Sequence, residues 1–244
     1  QTTKQLRRLS LAFALLMPVA VDGVLFAENI PRVHVAQTNI ALGNNDLPRL
    51  FQQLNELKPG ENQKAIDVLH KILQIFEKSV GPDHPRISEI LNLLSLIYIR
   101  QGLYEKAEPL VLRNLAIQEN FSGIAYEAKI LKETASILKK LAGKYIEQGL
   151  YAKAEPFAKR AFAIREKVLG LKNPSTATTL NDLALLYDYQ GFYNKSMPLF
   201  QKALGIYEKT LGHKHPSTAA ALSNLAGAYI AQGLYEKAEP LLLR

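Results

Sequence analysis

The stretch "QGLYEKAEPL" at residues 101–110 returns letter for letter at 232–241. Each copy carries a proline inside what otherwise reads as a helix. Two relatives lie between them, "QGLYAKAEPF" at 148–157 and "QGFYNKSMPL" at 190–199. Their glycines, Gly102, Gly149, Gly191 and Gly233, are spaced by 47, 42 and 42 residues. One further step of 42 toward the N-terminus reaches Gly60, in the worn copy "PGENQKAI", which keeps Ala65 where the others have Ala107, Ala154, Ser196 and Ala238. A fixed period of this size means an array of small units, each needing its neighbours to bury its apolar surface.

The unit from Asn173 to Gly212 shows what repeats. "NPSTATTLNDLALLYDYQG" places Leu180, Leu183, Ala184 and Tyr187 at the spacing of one helix face. Gly191 suits the left-handed residue that commonly ends a helix. "FYNKSMPLFQKALGIYEKTLG" then lines up Tyr193, Ser196, Leu199, Phe200, Ala203 and Ile206 on a second helix that Gly212 closes. Two antiparallel helices per unit follow, crossing where side chains are small: Ser95, Ala142, Ala184 and Ala226 on the first helix, and Ala107, Ala154, Ser196 and Ala238 on the second. Leucines 94, 141, 183 and 225 and tyrosines 98, 145, 187 and 229 fill the space beside them. The fold class is all-α, a solenoid of stacked helix pairs.

The leucine, small residue and tyrosine of the first helix, with the alanine of the second, resemble the tetratricopeptide repeat. The 42-residue period and the phrases "LNDLALLY", "QGLYEKAEPL" and "LGHKHPSTA" resemble its kinesin-light-chain type. The resemblance spans residues 46–244, about five units with the last cut short. It implies a protein- or peptide-binding scaffold rather than a reaction, because such a fold hosts many functions.

In the resembled family, peptides dock along a stripe on the first helices, which line the concave side of the array. Here that stripe carries Asn92, Lys139, Asn181 and Ser223, then Leu96, Gly143, Leu185 and Gly227, then Ile99, Ile146, Asp188 and Ile230, with Asp182 and Asn224 alongside. Asparagine amides offer donors and acceptors to a peptide backbone, and Leu96, Ile99 and Leu185 can hold its side chains. The opposing reading has the asparagines bridging helices. The unit between Gly102 and Gly149 has five extra residues and no His-Pro start, so its first helix is expected to be longer and the superhelix locally broken. Lys139 and Lys140 stand there in place of Asn181 and Asp182, which favours an acidic peptide or a C-terminal carboxylate.

Composition narrows the rest. The 244 residues contain no cysteine, which excludes a disulfide framework and thiolate zinc sites. The net charge of +8 divides into +2 on residues 1–45 and +6 beyond, too diffuse to indicate a nucleic-acid partner without a stripe of basic and aromatic residues. His213 and His215 form the best metal-like pair, but His84-Pro85 and His215-Pro216 recur as Asn173-Pro174. A ligand does not become asparagine in the next unit, whereas a helix N-cap does, with proline at the first helical position. No phosphate loop or nucleophilic constellation is present, and no metal or cofactor is implied.

Residues 1–27 read as a secretory signal or an N-terminal anchor: a basic start, an apolar run from Leu9 to Val21 and small Ala27 before Glu28. The run is shorter than the ~20 residues that span a bilayer. A helix packed on the array is the alternative. Export or membrane anchoring through residues 9–27 follows from the first reading, and a cytoplasmic protein from the last. Residues 28–45 read as a linker. "KAEPLLLR" stops partway through a second helix, so a recruitment or regulatory arm of a larger protease-like or signalling enzyme stands beside the free scaffold.

Overall fold

The computed structural model describes residues 46–58, 60–120 and 126–244. The signal or anchor at 1–27 and the linker at 28–45 lie outside the described residues. Within them are ten helices and no strand: α1 Asp46–Glu56, α2 Asn62–Val80, α3 Ile87–Arg100, α4 Tyr104–Asn120, α5 Tyr126–Glu147, α6 Tyr151–Leu169, α7 Pro174–Tyr189, α8 Tyr193–Leu211, α9 Pro216–Ala231 and α10 Tyr235–Leu242. None is long and apolar enough to cross a membrane. The chain divides into two compact units inside α5, one ending at Leu141 and the other starting at Ala142.

The repeated phrase now has a physical reading. Gly102, Gly149, Gly191 and Gly233 all adopt positive φ, 73 to 76°. The residue after each glycine donates its N–H back to the tyrosine carbonyl five residues earlier, as Leu103 does to Tyr98 at 2.9 Å and Phe192 to Tyr187 at 2.8 Å. The glycine N–H bonds to the carbonyl three back, and together these satisfy the otherwise orphaned end of the first helix. Lys106, Lys153, Lys195 and Lys237 lie 5.9, 5.7, 5.2 and 5.8 Å over the rings of Tyr98, Tyr145, Tyr187 and Tyr229.

Three of these tyrosines reach backwards to the preceding repeat's second helix. Tyr98 Oη lies 3.3 Å from His70 Nε2, Tyr187 Oη donates to Glu155 Oε1 at 3.1 Å, and Tyr229 Oη accepts from Gln201 Nε2 at 3.0 Å. Tyr98, Tyr187 and Tyr229 thus each clasp their own repeat through the ring and the previous repeat through the hydroxyl. Ala107, Ala154, Ser196 and Ala238 sit buried at the helix crossings, and the worn copy does the same with Ala65.

The prolines do not break their helices. Pro109, Pro156, Pro198 and Pro240 are each the sixth residue of a continuous helix, and all are exposed. The carbonyls they leave without an intrahelical donor belong to Glu105, Ala152, Asn194 and Glu236, which also face solvent. Water can satisfy those groups, so the missing bond costs little.

In the unit ending at Leu141, Leu54, Ala65, Leu69, Ile72, Phe76, Leu91 and Leu94 form the core. In the unit starting at Ala142, Ala177, Ala184, Phe200, Ala203, Leu225 and Ala226 do so. The longer first helix expected of the irregular unit is present: α5 has 22 residues, against 14 in α3 and 16 in α7.

Candidate functional site

The predicted stripe separates into buried and open positions. In the unit ending at Leu141, Asn92 is 5% exposed and Ile99 also 5%. Neither can meet a ligand, which corrects both assignments. Asn92 belongs to a buried polar knot joining α3, α4 and α5. Asn114 Nδ2 donates to Asn92 Oδ1 at 2.6 Å, and Asn92 Nδ2 donates to Thr134 Oγ1 at 3.2 Å. Gln118 Nε2 donates to Thr134 Oγ1 at 2.8 Å and to Asn114 Oδ1 at 3.1 Å. Thr134 Oγ1 is 2.9 Å from the Ile130 carbonyl to which it donates. The asparagine is therefore a bridge between helices.

Leu96 and Lys139 in that unit are half-buried, and Lys140 and Arg100 are exposed. The Lys140 ammonium is held below the usual lysine range, first by partial desolvation and then by the like charges of Arg100 and Lys139. The basic character read from sequence is thus a local positive field.

In the unit starting at Ala142, α7 and α9 present the stripe more openly. Asn181, Leu185, Asp188 and Asn224 are half-buried and Ser223 is exposed. Asn224 Nδ2 donates to Asn181 Oδ1 at 3.1 Å, linking the two first helices. That bond uses one donor of Asn224 and one acceptor position of Asn181, and each amide has further capacity. Asp188 is pushed up to about 6 by burial, against a smaller lowering by the Ser196 hydroxyl.

Sequence reasoning missed an aromatic pair. Tyr189, 44% exposed, stacks on Tyr151 with ring centroids 6.0 Å apart and 19° between planes. Burial, then the Asp188 charge, then Tyr151 raise the Tyr189 hydroxyl pKa. Tyr189 lies four residues past Leu185, one helical turn along the same stripe, so the spacing could have found it.

The histidines have local duties. His215 caps α9, its Nδ1 accepting from Ser217 N at 3.1 Å, as Asn173 Oδ1 accepts from Ser175 N at 2.9 Å for α7. His84 Nδ1 accepts from Arg86 N at 3.2 Å ahead of α3. A protonated imidazole cannot accept at Nδ1. Burial, then Arg86, depress the His84 pKa below its ordinary 6.5. A depressed folded-state pKa gives a contribution present above the unfolded value and lost as pH falls below it. His84→Asn is expected to remove part of the acid sensitivity of folding between pH 7 and 5. The size expected of one such hydrogen bond is about 1 kcal/mol, read from urea midpoints against pH.

Comparison with known proteins follows the same geometry. The family model described as tetratricopeptide repeat matches residues 56–120, 133–209 and 187–244. BtubC (BKLC) from P. vanneervenii superposes with a TM-score of 0.61 at 22% identity, covering 76% of this chain and 72% of that one. A candidate kinesin light chain from Podosopora anserina, with nearly identical TPR-like repeats, gives 0.58 at 26% identity, covering 81% and 89%. The apo form of RapI gives 0.61 at 18% identity, covering 79% of this chain and 49% of that one, a likeness of fold alone. No curated protein sequence matches the chain.

Proposed function

The chain belongs to the tetratricopeptide-repeat family, and we propose that it is a non-catalytic scaffold that binds a peptide or protein segment along the open face of its first helices. The repeat is of a protein-interaction kind and resembles the kinesin-light-chain type. The observation that carries the finer reading is the contrast along the stripe. Where Asn92 and Ile99 are sealed, Asn181, Leu185, Asp188, Ser223 and Asn224 on α7 and α9 stay accessible. They combine amide groups for a peptide backbone with apolar surface for its side chains. In the other unit, Arg100, Lys139 and Lys140 favour an acidic group on the ligand. Nothing in this reading needs a metal or cofactor, and nucleic acid is not its partner. Export or membrane association through residues 9–27 remains part of the proposal, as does service as the recruiting arm of a larger enzyme.

Selection from a displayed random-peptide library on the 244-residue chain tests it. Binders sharing a consensus are expected, and Asn181→Ala combined with Asn224→Ala should weaken them at least tenfold. Because those two share one half-buried bond, about 1 kcal/mol of stability is expected to go with it. Unchanged peptide affinity in the folded double variant would return both asparagines to a bridging role alone.

A further inference from the structure

Gly227 stands in the middle of α9 without a reason in the fold. Its φ is outside the left-handed range, and a Cβ there would meet no neighbouring helix within 4 Å. Neither a turn nor a tight crossing asks for glycine, and a glycine inside a helix is destabilising relative to alanine. The other repeats show what is missing. At the same level the first helices carry Leu54, Leu96, Gly143, Leu185 and Gly227, so α9 leaves open a space that α1, α3 and α7 fill with leucine. Gly205 in α8 is equally open, but its column holds Gln74, Ala116 and Ala163, and no large apolar side chain is absent there.

The surroundings are those of an apolar notch. Ala220, Ser223, Asn224, Ile230 and Ala231 follow the helical spacing from Gly227, and none of them is buried. The Asn224–Asn181 bond sets the register of α9 on α7, which places Leu185 and Gly227 at one level on the next turn. Leu185 and Ile230 are half-buried against the core of this unit, and Tyr189 lies exposed one turn further along α7. From Pro216 to Ala231 α9 carries no charge, and Asp182 and Asp188 on α7 each withdraw one oxygen from solvent. A ligand side chain entering this space is desolvated against leucine and isoleucine, which favours an aliphatic group and penalises a charge. The amides of Asn181 and Asn224, one turn earlier, keep capacity for the backbone that carries it.

We propose that Gly227 opens a specificity notch on the α7–α9 face that takes a leucine-sized aliphatic side chain of the bound peptide. This deepens the peptide-binding reading of that face and rests on it.

The test uses library peptides selected on the whole chain and weakened by Asn181→Ala with Asn224→Ala. They are expected to share one aliphatic position, at which alanine costs at least tenfold in affinity. Gly227→Leu, which fills the notch from the helix, should bind them at least tenfold more weakly. On that variant, alanine at the aliphatic position should cost less than twofold. Gly227→Ala and Gly205→Ala should both raise the urea midpoint through helix propensity, while only the first weakens binding. Wild-type affinity in Gly227→Leu, an undiminished alanine penalty on it, or selected peptides with no shared aliphatic position would overturn the notch alone. A library whose binders ignore Asn181 and Asn224, or that yields none, would defeat the peptide-binding reading beneath it.

Discussion

Asn92→Ala is expected to cost about 2–3 kcal/mol of folding stability, seen as a lower urea midpoint at unchanged slope. The substitution removes the acceptor of the 2.6 Å bond from Asn114 and leaves that buried amide short of a partner. It also takes away the donor that Asn92 supplies to Thr134 and opens a small cavity among α3, α4 and α5. Thr134→Val, which keeps the shape and deletes the hydroxyl, should destabilise by about 1–3 kcal/mol. The double variant should lose less than the sum, with a coupling above about 0.5 kcal/mol, because both changes dismantle one network. Independent, additive losses would show that the knot is a set of separate contacts. A change in peptide affinity at constant stability would restore Asn92 to the binding stripe.

Asp188→Asn is expected to act in the opposite direction, raising stability at pH 7 by about 2 kcal/mol. The folded-state carboxyl is raised from 3.8 to about 6, with burial the larger cause. Between those values the native state binds more protons than the unfolded one. Wild-type stability should therefore rise as pH falls from about 6 toward about 4, and the full cost of the charge is present above about 6. Asp188→Asn should lack that rise, so the two proteins converge at the acid end of the window. Urea titrations at pH 7, 5 and 4 read this directly. A less stable variant at pH 7 would mean that the Ser196 hydrogen bond outweighs desolvation. Stability gained by removing one side chain is what a binding residue shows when its own comfort has been given up for a ligand.

Much of the architecture was legible before any coordinates. The period between glycines marks where first helices end, and the positive φ at Gly102, Gly149, Gly191 and Gly233 is the physical cause of their recurrence. The alanine columns mark the helix crossings, and Asn173 beside His215 shows that the phrase is a cap at α7 and α9, whereas after His84-Pro85 the helix starts later, at Ile87, with Arg86 as its N-cap. Asn92 was misread for an equally physical reason. Counting from the glycines sets it against Lys139, 47 residues away, whereas its hydrogen bond goes to Thr134, 42 residues away. The extra residues of the irregular unit thus fall after Thr134, and the stretch of α5 facing α3 keeps the regular separation.

The knot did leave a trace. Asn114 stands in a column otherwise filled by Ile72, Ala161 and Ala203, and all four are fully buried. A polar side chain in an apolar column needs a partner, and the irregular unit supplies one. Asp188 shows the limit from the other side. The spacing places it on the right stripe, but only the packing around α7 shows that its oxygen is withdrawn from water. Burial of that kind depends on neighbours distant in sequence.

The account turns on which helices receive the ligand. The most direct measurement is a backbone amide shift map of the isotope-labelled chain with and without a library-selected peptide. The account predicts that the largest changes fall on α7 and α9, at Asn181, Leu185, Asp188 and Asn224, with Asn92 unmoved. Changes concentrated on the second helices α6, α8 and α10 would contradict it and put the binding surface on the other side of the repeat.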